Sequence, residues 1–356
     1  MGDSVRLALL MVYILGVVGQ IVLALNHSQT CMNPHGKQGK CIPLSKCPSL
    51  NKTVRTKDDE ELLKSTRCGE DNENTLVCCP IPLPVFPECG IMETWRIFGG
   101  QPTDIEEFPW AVLIEYQKPR NQYGYHCGGS LINKRYVLTA AHCVTSLSHG
   151  WKVHRVRLGE WDLSTNPDCI NHEYDGEISK SCNHPPIDMD IEQIVVHNGY
   201  THAKNYHNDI ALIRMAWDVT YSLSVLPTCL PLSERIINTN HEDTATIAVG
   251  WGRTETGHAS QVKMKVDLIV QSLEECKLLY KRLNASLVDT QMCVGGMDGR
   301  DTCTGDSGGP LMRMVAGAWY QIGVVSIGPA KCGTKNFPAV YTDVSKYAEW
   351  ISEIVY

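Results

Sequence analysis

Residues 305–310 read Gly305-Asp306-Ser307-Gly308-Gly309-Pro310, a single hydroxyl set among glycines. Glycines at 305, 308 and 309 suit a tight loop whose backbone has to come close to a bound molecule. Around this loop, from Ile97 to the end of the chain, short Val, Ile, Leu and Tyr runs alternate with Gly, Pro, Asn and Asp clusters, as in Tyr136-Val137-Leu138-Thr139 and Gly323-Val324-Val325-Ser326. Such runs between turn-forming residues predict an all-β barrel or sandwich. Val344, Tyr347, Ala348, Trp350, Ile351 and Ile354 recur at roughly helical spacing, which predicts a terminal helix packed on the β core.

Two more strings precede the first: Leu138-Thr139-Ala140-Ala141-His142-Cys143 and His207-Asn208-Asp209-Ile210-Ala211-Leu212. In the chain order His, Asp, Ser, the three together resemble the trypsin and chymotrypsin family of serine proteases, over Ile97–Tyr356. The resemblance implies an all-β fold of two six-stranded barrels with a carboxy-terminal helix, and a catalytic set of His142, Asp209 and Ser307. A serine hydroxyl is a poor nucleophile at neutral pH, so it needs a base to take its proton as it attacks an amide carbonyl. His142 is expected as that base, with Asp209 fixing its tautomer and stabilising the imidazolium. The N–H groups of Gly305 and Ser307 are expected to hold the oxyanion, and the chemistry requires no cofactor.

The same resemblance puts Asp301 at the base of the primary pocket, with Ser326, Gly328 and Ala339 in its walls. An unpaired buried carboxylate is costly, so a cationic side chain that neutralises it is preferred, and cleavage after Arg or Lys follows. Ile327 stands where the family commonly has Trp, and Ala339 where it commonly has Gly. One methyl group in a pocket changes discrimination, and a preference for Arg with modest turnover is expected.

Trp95-Arg96-Ile97-Phe98-Gly99-Gly100 resembles the activation junction of zymogens in this family. A cut after Arg96 would create an ammonium on Ile97 that pairs with Asp306 and orders the pocket, a two-state loop biased by a charge that does not exist before cleavage. An Arg before the cut implies an upstream trypsin-like activating protease.

Cys31, Cys41, Cys47, Cys68, Cys78 and Cys79 crowd a segment with little apolar periodicity, which must be stapled to hold together. Spacing alone leaves their pairing open. Ending in an adjacent cysteine pair, the segment resembles the clip domain of arthropod zymogens, which implies Cys31 with Cys78, Cys41 with Cys68, and Cys47 with Cys79. For the protease region the resemblance implies Cys127 with Cys143, Cys276 with Cys293, Cys303 with Cys332, and Cys89 with Cys229 retaining the cut light chain. Cys169 with Cys182 remains as an extra loop bridge. The Glu160–Asp168 loop lies where some relatives bind calcium; the carboxylates of Glu160 and Asp168 and the carbonyls of Asp162 and Thr165 are the candidate ligands of a structural ion.

The chain begins with Arg6 and an apolar stretch from Leu7 to Leu25 interrupted by Gln20, which reads as a secretory signal over 1–24. The rival reading is an uncleaved anchor, since the stretch is just long enough to span a bilayer. A secretory route makes disulfides the default for sixteen cysteines, and the sequons at Asn26, Asn51 and Asn284 are glycan acceptors if exposed. Alternating prolines after Cys79 predict a stiff extended spacer. The expected organisation is therefore a clip domain over 30–80, a Pro-rich linker and activation peptide over 81–96, and a protease domain over 97–356. A net charge of −7 without a long basic run points away from nucleic acid and anionic membranes, and no membrane span is expected in the mature chain.

These readings converge on a secreted, extracellular serine endopeptidase zymogen of an innate-immune cascade, in Toll activation or melanisation. Its expected partners are a protein substrate, either another zymogen or a cytokine-like precursor, and a serpin inhibitor. The alternatives are a non-catalytic homologue acting as cascade cofactor, a binding module centred on the knot, and a developmental patterning protease.

Overall fold

A computed structural model describes residues 30–355 apart from 33, 35–37, 48–49, 51–56, 72–73, 81–82, 93–100, 175–176, 203–204, 255–256, 298–300 and 330–331. The expected signal at 1–24, the junction at Arg96 and Ile97, and the sequons at Asn26 and Asn51 lie outside the described residues. The chain divides into two compact units, Met1–Pro82 with Ser352–Tyr356, and Leu83–Ile351.

In the first unit, strands β1 (Thr30–Met32), β2 (Gln38–Pro43), β3 (Arg67–Asp71) and β4 (Asn74–Pro80) form an antiparallel sheet in the order β1-β2-β4-β3, with helix α1 (Lys57–Ser65) between β2 and β3. Its core is small: Cys47, Leu50, Val77 and Cys79, with Ile42, Leu44 and Leu63 against them. Disulfides Cys31–Cys78, Cys41–Cys68 and Cys47–Cys79 staple it. So small an apolar core leaves these covalent links to hold the sheet together.

The second unit opens with Leu83–Met92. The expected straight spacer is broken here, because Glu88 N–H donates to Val85 O (2.7 Å) and closes a turn. Cys89 then bonds to Cys229, and Gly90 exchanges hydrogen bonds with Pro227 O (2.9 Å) and Trp319 N–H (3.0 Å). Gly90 has φ 67°, and a Cβ there would collide with the backbone of Trp319, so only glycine fits.

The strands of this unit are β5 (Gln101–Pro102), β6 (Ala111–Lys118), β7 (Gln122–Leu131), β8 (Tyr136–Thr139), β9 (Lys152–Leu158), β10 (Cys169–Tyr174), β11 (Glu177–Cys182), β12 (Ile187–Val196), β13 (Ala211–Met215), β14 (Ala245–Gly250), β15 (Met264–Gln271), β16 (Gln291–Val294), β17 (Pro310–Val315), β18 (Ala318–Ile327) and β19 (Ala339–Asp343). Strands β12-β13-β8-β7-β6-β9 close one barrel. Strands β14-β17-β18-β19-β16-β15 close the second through a β14–β15 pairing, with β5 added on the outer edge of β15. Two closed six-stranded barrels are thus the specific form of the all-β expectation, and closure removes the exposed edges that an open sheet would leave.

Trp110, Ile114, Leu131, Leu138, Leu158, Ile210 and Leu212 fill the first barrel, and Leu268, Val270, Met292, Val294, Leu311, Ile322, Val325 and Tyr341 the second. The hairpin β10–β11 is tied by Cys169–Cys182, helix α2 (Leu273–Lys281) is tied to β16 by Cys276–Cys293, and Cys303–Cys332 joins the loops beside β17 and β19. At the end of the chain Val344–Tyr347 is a 3-10 turn, and helix α3 runs over Ala348–Ile354. Tyr347 and Trp350 both set their rings edge-on to His197 (5.1 Å).

Candidate active site

The three predicted catalytic residues come from the ends of barrel strands. His142 follows β8, and Cys127–Cys143 pins the turn that carries it to β7. Asp209 immediately precedes β13, which pairs with β8, so the ladder that aligns Ala211 with Thr139 also brings Asp209 beside His142. Asp209 Oδ2 lies 2.7 Å from His142 Nδ1, and Oδ1 accepts the His142 backbone N–H at 2.8 Å. The carboxylate is fully buried. Two hydrogen bonds reach Asp209 from the second barrel: Ser326 Oγ donates to its carboxylate Oδ2 (2.5 Å), and Thr342 Oγ1 donates to its backbone O (2.8 Å).

Ser307 sits in the loop before β17 and is carried to the same place by its backbone. Gly128 N–H donates to Ser307 O (2.8 Å), and Thr139 Oγ1 donates to Gly128 O (2.8 Å), three residues before His142. Gly308 (φ 79°) fits under Thr139 and Gly128 because it has no Cβ. Among the described residues Ser307 Oγ makes no hydrogen bond to His142; the imidazole Nε2 faces Cys143 Sγ at 3.7 Å. Nucleophile and base in a ligand-free protease commonly draw together only when substrate binds. Cys127, His142 and Cys143 also form the one group of three Cys, His or acidic side chains among the described residues close enough to share an ion, but the two cysteines are bonded to each other.

Gly305, the predicted oxyanion donor, has φ 109°, and a Cβ there would press on Gly252 Cα. Asp306 turns away from Ser307: Oδ1 accepts Gly252 N–H (2.8 Å) and Oδ2 accepts Cys303 N–H (2.9 Å). Burial raises its pKa and the two N–H bonds oppose that rise.

Asp301 lies six residues before Ser307 and interacts electrostatically with Asp306. Its Oδ1 accepts Thr302 N–H at 2.8 Å, whereas Oδ2 is buried with no hydrogen-bond partner among the described residues. Burial, with a smaller push from Asp306, raises its carboxyl to about 7, against N–H bonds from Thr302 and Gly333. Thr302 Oγ1 and Tyr341 OH are 2.8 Å apart behind it. A Cβ added at Gly328 would stand 3.5 Å from the Ala339 methyl, so these two predicted wall residues face each other. The side chain of Ser326, predicted in the pocket wall, is committed to Asp209. Ile327 packs against the buried cluster of Cys276, Tyr280, Leu287, Cys293 and Val340.

In the 160–168 loop the side chains of Glu160 and Asp168 are almost fully buried, and burial together with the like charge of Asp168 raises the pKa of Glu160. Asp168 accepts from Trp161 N–H (3.0 Å), Asp162 N–H (3.1 Å) and Thr165 Oγ1 (2.5 Å); Glu160 accepts from Trp161 N–H (3.0 Å) and Arg157 (3.2 Å). These are oxygen donors of the type a hard cation takes, while Arg157 and the buried Lys263 already bring positive charge to the two carboxylates. Asp162 holds Ser164 through its carboxylate and Thr165 N–H through its carbonyl (3.0 Å). Asn284 is exposed, with φ 59°.

Comparison with known proteins agrees with this geometry. The family model of trypsin matches residues 97–351, and that of the regulatory CLIP domain of proteinases matches 31–79. The chain belongs to the trypsin family of serine proteases. The protease is 51% identical to CLIP domain-containing serine protease B4 of Anopheles gambiae, over 98% of each chain. It is 40% identical to serine protease ea of Drosophila melanogaster, over 91% of this chain and 90% of that one, and 36% identical to the Spaetzle-processing enzyme of the same fly, over 89% of each. Among solved structures, the crystal structure of the Drosophila Grass clip serine protease of the Toll pathway superposes with a TM-score of 0.67 at 30% identity, covering 92% of this chain and 97% of that chain.

The resemblance had named the triad and the pocket floor; the Ser326 bond to Asp209 and the edge-on contact of Tyr206 with His142 (5.5 Å) were not anticipated. From the sequence Ser326 is expected as a wall residue of the pocket and not as a partner of Asp209. Its only sequence signal is a hydroxyl in the run Gly323–Ile327, where the neighbours are apolar.

Proposed function

We propose that the chain is a secreted zymogen which, once cut after Arg96, hydrolyses protein substrates after Arg, and less well after Lys. The observation that carries this reading is Asp301. A carboxylate oxygen buried without a partner, one loop away from Ser307, is a site that a guanidinium satisfies with two parallel hydrogen bonds and a smaller ammonium with fewer. An apolar side chain there would leave the oxygen unsatisfied, at a cost of about 1–3 kcal/mol.

In this reading Ser307 Oγ attacks the scissile carbonyl carbon while its proton passes to His142 Nε2. Asp209, held by Ser326 and by the His142 backbone N–H, keeps the Nδ1 proton in place and stabilises the imidazolium. The N–H groups of Gly305 and Ser307 receive the oxyanion. The C–N bond breaks as the imidazolium proton moves to the leaving amine, and water repeats the sequence to release the acid. The switch is Asp306: buried and bonded only to N–H groups among the described residues, it gains a cation when Ile97 acquires a free amine.

The names of the relatives favour an immune setting. They speak of melanization, of phenoloxidase activation, of Spaetzle processing and, for the solved structure, of the Toll pathway. We therefore place this protease in an extracellular cascade, activated by a trypsin-like enzyme, acting on a zymogen or a cytokine-like precursor and ended by a serpin. Glu160, Asp168 and the carbonyls of Asp162 and Thr165 would hold a structural calcium that takes no part in the chemistry. The clip domain over 30–80, the linker over 81–96 and the protease over 97–356 are the parts of this reading. The test is a peptide panel offered to the recombinant chain before and after cleavage at Arg96. Hydrolysis only after cleavage, and mainly after Arg, is expected; hydrolysis mainly after Phe or Leu overturns the assignment.

A further inference from the structure

Beside the turn that carries His142 lies a group of side chains that the chemistry above does not use. Lys118 ends β6, and His126 stands in β7 next to Cys127. Trp151, one residue before β9, touches both: the Lys118 ammonium lies 4.8 Å from the centroid of its ring, and the His126 ring centroid is 4.5 Å away. A cation within about 6 Å of an indole face is attracted by the ring, so Trp151 holds the ammonium in place. The buried Tyr116 sets its ring edge-on to His126 (5.7 Å) and donates its hydroxyl to Cys143 O (2.8 Å), which ties the group to the catalytic turn.

Gly124 leaves a gap between the two nitrogens. A Cβ there would stand 3.0 Å from Lys118 Nζ and 3.8 Å from His126 Nε2, so both border the space that the missing side chain leaves open. Among the described residues Lys118 makes no ion pair, and His126 is exposed. Partial desolvation and the Lys118 charge lower the pKa of His126, which leaves a neutral ring that still donates an N–H. An ammonium without an acidic partner and an imidazole N–H on one gap suit a carboxylate, which accepts from both. The place of this gap along a bound substrate follows from His142. Its Nε2, which hands a proton to the leaving amine, faces Cys143 Sγ at 3.7 Å, and Cys143 is bonded to Cys127. The chain that follows the scissile bond therefore leaves past this bridge, beside His126. Gly128 N–H holds Ser307 O, and His126 lies two residues from Gly128, about 7 Å along the strand, a distance an extended substrate covers in two residues.

We propose that Lys118 and His126 form a specificity site for an acidic side chain of the protein substrate, carried by the second residue after the scissile bond. The proposal rests on the hydrolytic reading above. Asp301 reads the charge of the residue before the bond, and many protein segments carry an Arg there. A second charge of opposite sign, read on the far side of the bond, narrows the choice to segments with Arg before the cut and Asp or Glu shortly after it. The site needs no rearrangement to act, because Trp151 and Tyr116 hold its two donors without substrate.

The test uses the full chain cut after Arg96 and three peptides with Arg before the scissile bond and Glu, Gln or Lys two residues after it. The readout is the ratio of kcat/KM between peptides for one enzyme, so a general loss of activity cancels. The unmutated chain should cut the Glu peptide about fivefold faster than the Gln peptide, the factor a partly exposed ion pair supplies, and the Lys peptide slowest. Lys118→Met should bring the ratio of Glu to Gln close to one, and so should Gly124→Glu, which fills the gap with a carboxylate of the chain itself. Lys118→Glu should invert the order and make the Lys peptide the fastest, a change that a merely structural role of Lys118 would not produce. Equal rates for the three peptides in the unmutated chain, or an unchanged order in Lys118→Glu, overturn the site and leave the hydrolytic reading standing. Hydrolysis of none of the three defeats the hydrolytic reading and the site with it.

Discussion

Ser326 Oγ and His142 Nδ1 converge on one oxygen of Asp209, at 2.5 and 2.7 Å. One donor comes from each barrel, so the orientation of the imidazole depends on how the two barrels meet. Asp209 is thus a joint between them as well as the partner of His142.

Removing the donor from the second barrel should therefore weaken chemistry more than binding. A hydrogen bond to a charged group contributes about 1.5–3 kcal/mol. Ser326→Ala is expected to lower kcat about tenfold or more on an Arg ester, with KM little changed, as steady-state kinetics on the cut enzyme will measure.

The pocket should reveal Asp301 by its pH dependence. With its carboxyl raised to about 7 by burial, Asp301 is mostly protonated at pH 6 and ionised at pH 8. A cationic pocket ligand such as benzamidine needs the ionised form. Its Kd should be level above pH 8 and rise about tenfold per unit below 7. Calorimetry on the cut enzyme between pH 5 and 9 measures this, and Asp301→Asn should bind weakly with no such slope. The sign for stability is the reverse of the usual carboxylate. The folded chain keeps a proton that the unfolded chain has lost between about pH 4 and 7, so this group lowers stability as pH rises through that window.

In the proposed pocket the Ala339 methyl faces Gly328. Ala339→Gly should raise kcat/KM for Arg and Lys substrates severalfold, since one methyl shifts discrimination by about 1–3 kcal/mol. The same change should cost about 1 kcal/mol of stability, because it adds a glycine to β19.

The loop with Glu160 and Asp168 holds two buried like charges. Calcium should raise the melting temperature by several degrees over a chelated sample, and Glu160→Gln should remove the difference. Equal melting with calcium and with chelator in the unmutated chain would dismiss the ion.

Much of this was legible from residues, for physical reasons that differ along the chain. Tyr136–Thr139 alternates with turn formers and is β8; Gly323–Ser326 lies within β18. The terminal helix begins as a 3-10 turn, since Asp343 caps Ser345 with its side chain and tightens the first turn. The proline spacer misled because composition describes an isolated chain, whereas Cys89–Cys229 and the Gly90 bonds pull this one into a turn. Lys265 was invisible for a related reason. It stands on the face of β15 opposite the core residues Val266, Leu268 and Val270, where alternation asks for a polar residue, and only its pairing with Glu107, distant in sequence, explains why the ammonium is buried there. Likewise, no local pattern shows that a serine in one barrel serves an aspartate in the other.

The most direct test of the account is labelling with a fluorophosphonate, which reacts only with a serine activated by its base. The chain cut after Arg96 should take one label, on the peptide containing Ser307, while uncut chain and His142→Ala take almost none. A cut, folded chain that stays unlabelled, or one whose label falls on another serine, would contradict it.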